Sequence, residues 1–163
     1  SSYRARLPRV PARAATNLVN AECSDAHVVF ARGSGEMQGL GLCGEPLVSG
    51  ITSNLDSMSV SSYAVNYAAS MPVQCWSECH RHDQPRGVCC PNTVFVLGGY
   101  SQGASAADIA IGVKATLGSG DTIPENLASR IKAVVTFGNP LKMMGQTIER
   151  SSQTYGPIYG VPP

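Results

Sequence analysis

The feature that most constrains this chain is a serine set between glycines, Gly99-Tyr100-Ser101-Gln102-Gly103, at the junction of two unlike runs. Before it, Thr93-Val94-Phe95-Val96-Leu97 is apolar and β-branched, bounded by Pro91-Asn92 and Gly98-Gly99, and reads as a buried parallel strand. After it, Ala104-Ser105-Ala106-Ala107 leads into Asp108-Ile109-Ala110-Ile111, small residues suited to a helix lying close on a sheet. A turn from strand directly into helix leaves no room for side chains on either side of the serine, hence the flanking glycines. Ser101 then presents its hydroxyl at a helix N-terminus, where the dipole and unbonded N–H groups favour developing negative charge. The pattern is that of a nucleophile elbow, and the strand before it and helix after it give the short motif its weight.

Length and composition agree with one enzyme-sized domain. The chain has 163 residues, enough for a single sizeable core. Apolar residues make up 43% and charged residues 14%, with a formal charge of +1, so nothing points to nucleic acid or a charged membrane surface. No apolar run approaches the roughly 18 residues of a membrane span. Six cysteines (Cys23, Cys43, Cys75, Cys79, Cys89 and Cys90) form an even set in a lightly charged, Gly-rich chain. They imply an oxidising, extracellular setting, and their about 15 possible pairings stay open. Residues 1–22 are expected to be a basic, Pro-containing arm with Arg4, Arg6, Arg9 and Arg13, and residues 23–163 the folded domain.

Within that domain Ala26–Ala31 is expected to be the first strand, broken sharply by Arg32-Gly33-Ser34-Gly35-Glu36. A Gly-rich loop after a strand can aim backbone N–H groups at a ligand. Glu36 argues against a phosphate there, and an oxyanion-binding loop suits the elbow better. His27 opens the strand and reads as a packed or edge histidine. Leu47, Val48, Ile51 and Leu55 predict a helix over 45–55, and alternation through Val60, Tyr63, Val65 and Tyr67 predicts a second strand over 59–67. The helix after the elbow is expected over 104–117, a fourth strand over 131–137, and an irregular tail over 141–163. Cys75, Cys79, His80, His82, Cys89 and Cys90 lack the paired C-x-x-C and H-x₃₋₅-H spacings of zinc sites, so no metal or other cofactor is expected. Strands alternating with helices predict an α/β fold of three layers, α/β/α, around a parallel sheet of at least four strands. Its active surface lies at the carboxyl ends of the strands, where Ser34 and Ser101 both fall.

Several segments together resemble the cutinase family, the small lidless α/β-hydrolase serine esterases. They are Cys90-Pro91 before the elbow strand, the elbow itself, Phe30-Ala31-Arg32-Gly33-Ser34-Gly35-Glu36, and Ala133-Val134-Val135-Thr136-Phe137-Gly138-Asn139-Pro140. The resemblance covers roughly Cys23 to Pro140. It implies that Ser101 is the nucleophile, that Ser34 and the N–H of Gln102 form the oxyanion hole, and that Cys23 pairs with Cys90. It also implies a secreted protein acting on an ester, lipid or polyester.

The family places its catalytic Asp and then His after the fourth strand, and that region is missing here. After Ser101 the chain has Asp108 and Asp121 but no histidine. Asp108 falls about two turns into the helix and Asp121 in the loop before the fourth strand, neither at a triad position. A serine without a base is a weak nucleophile at neutral pH. Three accounts follow: the acid and base come from a companion C-terminal chain, His80 or His82 serves as base, or the fold survives as an inactive module that binds a lipid, polyester or cell-wall surface. The first also implies that the last strand and helix are lacking, leaving a sheet edge uncovered. It is the leading expectation, with the inactive binding module as its rival.

Overall fold

Five apolar or alternating segments meet the requirement for parallel pairing and build the sheet. The structure, a computed structural model, describes residues 23–67, 69, 90–113, 118–143 and 158–161. The basic arm, the Cys/His-rich stretch with His80 and His82, and Cys75, Cys79 and Cys89 lie outside these residues. Strands β1 (Ala26–Ala31), β2 (Val60–Ala64), β3 (Val94–Tyr100), β4 (Ile131–Phe137) and β5 (Ile158–Val161) form one sheet in the order β2-β1-β3-β4-β5. All four pairings are parallel.

Crossover handedness then fixes the layers. The β1-to-β2 step carries helix α1 (Gly41–Asn54) onto one face, and the β3-to-β4 step, in the opposite direction, carries α2 (Gln102–Ala110) onto the other. The two short helices, α3 (Glu125–Ala128) and α4 (Pro140–Met143), flank β4. Side chains alternate accordingly. Val29, Ala31, Phe95, Leu97 and Val134 join Ala106, Ala107, Ala110 and Ile111 in the main core. On the other face, among the described residues, α1 covers part of the sheet and a cleft of about 550 Å³ lies among Leu47, Ile51, Leu55, Val96, Ala133 and Val135. The expected α/β/α architecture is thus the observed one.

Several boundaries differ from the sequence expectation. Helix α1 begins at Gly41, four residues before the expected start, because Glu36 supplies a cap from outside the helix: its carboxylate accepts the Leu42 N–H at 2.8 Å. Helix α2 starts at Gln102, directly after the serine, and stops at Ala110 rather than running on to 117. Gly112 (φ 80°) ends it, with Gly112 N–H on the Ile109 carbonyl at 3.0 Å and Val113 N–H on that of Asp108 at 2.9 Å. That is a Schellman closure. The tail expected to be irregular contributes β5, which pairs with β4 from Val134↔Ile158 to Phe137↔Val161. The edge of β4 is therefore covered, and the outermost strand is β5.

At the amino ends of β1 and β3, Cys23 and Cys90 form a disulfide, the pairing that the family resemblance implied. Arg130 reinforces this end by donating to the carbonyls of Cys90 (2.5 Å) and Thr93 (2.6 Å). Cys43, in the first turn of α1, is a free thiol whose pKa burial and the nearby Glu36 raise.

Candidate active site

Strand order reverses between β1 and β3, so the crevice between their carboxyl ends is the topological switch point where α/β folds place ligands. Two loops meet there. The first is the β3–α2 turn. Ser101 has φ 51° and ψ −114°, the one positive φ at a non-glycine among the described residues. Its N–H is held by the Phe137 carbonyl at 2.9 Å, and its own carbonyl accepts the Ala104 N–H at 3.0 Å. The flanking glycines are sterically required. A Cβ on Gly99 would lie 2.1 Å from the Gly103 oxygen, and one on Gly103 would lie 2.0 Å from the Ala31 oxygen. Helix α2 consequently rests backbone to backbone against the end of β1. Gln102 is the first residue of the helix, where an N–H has no intrahelical acceptor.

The second loop, residues 32–36, is pinned by partners that sequence reasoning did not find. Arg32 is buried, and its guanidinium donates to the carbonyls of Glu36 (3.0 Å), Val65 (3.3 Å) and Tyr67 (2.8 Å). Tyr67 returns its hydroxyl to the Arg32 carbonyl and lies under the guanidinium, 5.1 Å from ring centroid to carbon. Glu36 itself fills the cradle that a bound anion would need, accepting the N–H groups of Gly33 (2.5 Å) and Leu42. Gly33 abuts the Tyr100 ring, where a Cβ would come within 2.6 Å. The Tyr100 ring also lies beside Gly138, so it spans from the 32–36 loop to the turn after β4. Ser34 sits exposed at the tip of the 32–36 loop, past the end of the strand that pairs with β3.

Other candidate groups lie elsewhere. His27 is fully buried, bonded through Nδ1 to Ser61 Oγ at 2.7 Å and packed edge-on to Phe95. Asp121 is exposed in the loop before α3, towards the amino end of the sheet. Asp108 is fully buried within α2, and its Oδ2 accepts from Asn139 Nδ2 at 2.7 Å. Desolvation raises its pKa to about 6 against the opposing pull of the Asn139 hydrogen bond. Among the described residues no cluster of three or more His, Cys, Asp or Glu is placed to hold a metal ion, and no helix is long and apolar enough to cross a membrane.

Comparison with known proteins accords with this geometry. A cutinase from Kineococcus radiotolerans is 48% identical over 141 residues, covering 84% of this chain and 48% of the relative. The probable carboxylesterase Culp3 of Mycobacterium tuberculosis is 38% identical over 140 residues, covering 82% of this chain and 53% of its own. The chain thus spans about half the length of the curated relatives it matches. Among solved structures, a Trichoderma reesei cutinase in complex with a phosphonate inhibitor superposes with a TM-score of 0.63 at 26% identity. It covers 91% of this chain and 69% of that one. The family model described as Cutinase matches residues 22–157, and with the elbow, the loop after β1 and the α/β/α sheet in agreement, the chain belongs to the cutinase family.

Proposed function

We propose that the protein is a secreted serine esterase that hydrolyses carboxylic esters through an acyl-enzyme on Ser101. The observation that carries this reading is the backbone of Ser101, a positive φ forced on a serine between two glycines that no other residue could replace. Strain of this kind is kept where a side chain must be presented in one direction. The tetrahedral oxyanion is assigned to the Gln102 N–H and to Ser34. Gly33 N–H is already engaged by Glu36, and the assignment of Ser34 as the donor of its loop is what the family resemblance implies. The Cys23–Cys90 disulfide supports an oxidising, extracellular compartment.

The general base and its acid are assigned to residues outside those described. Asp108 is occupied by Asn139 inside the core, and Asp121 is at the wrong end of the sheet. The relatives carry about as much chain again as the matched region, and that additional chain is the favoured source. Nothing in the comparisons speaks for a separately cleaved companion fragment. Intact mass after reduction distinguishes one polypeptide from two. The substrate class is a lipid, a cutin-like polyester or a short-chain ester, a choice the fold does not make.

Incubation with a p-nitrophenyl alkylphosphonate tests the reading. We expect a stoichiometric mass adduct on Ser101, and we expect Ser101→Ala to abolish the adduct and lower ester turnover by at least about 10⁴-fold. Absence of both the adduct and ester turnover in the parent protein would overturn this reading in favour of the inactive binding module.

A further inference from the structure

The buried polar side chains of α2 have no part in the chemistry above. Gln102, Ser105 and Asp108 recur every three residues along the helix, and all three are buried, as is Thr136 on β4. Among the described residues the Gln102 side-chain amide, Ser105 Oγ, Asp108 Oδ1 and Thr136 Oγ1 have no hydrogen-bond partner. The apolar part of the helix is Ala104, Ala106, Ala107 and Ala110, with Ile109 as its one large side chain. Alanines bring the helix close to the sheet but offer no large side chain to interlock with it, and apolar contact is non-directional. The glycine contacts with β1 set how closely α2 approaches the sheet, and directional bonds add a further constraint on its slide and tilt.

Two bonds to the end of β4 do so. At the start of the helix, Ser101 N–H binds the Phe137 carbonyl at 2.9 Å. Two turns further on, Asp108 Oδ2 accepts from Asn139 Nδ2 at 2.7 Å. Asn139 is itself oriented, since its Oδ1 takes the Leu141 N–H at 2.9 Å and its carbonyl takes the Lys142 N–H at 3.1 Å. Gly138, with φ 52° and Tyr100 alongside, completes the turn.

We propose that Asp108 and Asn139 are positioning residues, a clasp that sets the slide and tilt of α2 and thereby the placement of Ser101 and the Gln102 N–H. The rate consequence rests on Ser101 being the nucleophile, whereas the structural content does not. Asn139→Asp sets two carboxyls face to face, and the exchanged pair Asp108→Asn with Asn139→Asp restores one amide facing one carboxylate. Amide exchange by mass spectrometry and the separated kinact and KI of phosphonate labelling read out the effect on the protein.

Asn139→Asp is expected to speed exchange in residues 98–104 and 138–142 about tenfold while leaving 41–54 unchanged. It should slow kinact by about 10- to 100-fold with KI within about twofold, the signature of misplacement rather than lost binding. The exchanged pair should recover both quantities to within about threefold. Asn139→Ala serves the same test should Asn139→Asp not fold. Unchanged exchange at 98–104 in a folded single variant, or no recovery in the exchanged pair, overturns the clasp. Absence of labelling in the parent protein overturns the esterase reading alone, since the exchange comparison still decides the clasp.

Discussion

A serine at φ 51° costs of order 1–3 kcal/mol relative to a relaxed backbone, and the surrounding contacts must hold it there. Ser101→Gly should therefore be more stable than Ser101→Ala by about 1 kcal/mol in urea unfolding, both being inactive. The reverse order would mean that the backbone there is relaxed. Gly103→Ala drives a methyl into the Ala31 carbonyl, and a loss of at least about 3 kcal/mol, seen as a fall in Tm, is expected. Asp108 carries a pH signature. Its folded pKa of about 6 is above the ordinary value of 3.8, so its contribution is fully present below about pH 4 and lost as pH rises through 6. The loss is about 3 kcal/mol at neutral pH. Between pH 4 and 7, stability should therefore shift in favour of Asp108→Asn over the parent by up to that amount, and a difference independent of pH would refute it. At this scale the sequence discloses what local sterics dictate, namely Ser101, Gly99 and Gly103. It does not disclose that Arg32 is held by carbonyls 33 and 35 residues away, because nothing in local spacing records a partner so distant.

Among the elements, β1 and β4 were legible to the residue because each is a dense apolar run with abrupt breaks at both ends. The helices were less so. The start of α1 depends on a carboxylate in the preceding loop, and the end of α2 depends on Gly112 accepting a left-handed conformation inside an otherwise helical pattern. Strand β5 is only four residues with Gly160 among them, too short for alternation to show, and its pairing with β4 supplies what its own sequence does not. The disulfide joins elements rather than residues. It closes a separation of 67 residues across β1 and β3 at the ends remote from Ser101. Replacing Cys23 and Cys90 by serine should cost about 2–4 kcal/mol. The rate of Ser101 labelling in the folded fraction should stay as it was. A changed labelling rate would mean that the amino ends of the strands communicate with the elbow.

For the molecule as a whole, the class of fold follows from alternating strands and helices, but the strand order does not, since pairing partners are far apart in sequence. Once the order is known, much else follows from handedness alone. Crossovers towards β2 place their helix on one face and crossovers towards β5 on the other, so the elbow helix and α1 flank the sheet from opposite sides. No acid or base for Ser101 was legible among the described residues, and the matched region is about half of each relative.

That same handedness leaves the cleft beside α1 lined by Leu47, Ile51, Val96 and Val135. A surface so apolar wets poorly, and we expect it to adsorb to plastic, polyester film or an air–water interface independently of Ser101. Retention on an insoluble ester is therefore a measure of this face as much as of any active site. Detergent below its micellar concentration should strip the adhered protein from film while leaving the rate of Ser101 labelling unaltered. Were both to fall together, the greasy face and the reactive rim would be parts of one contact with substrate.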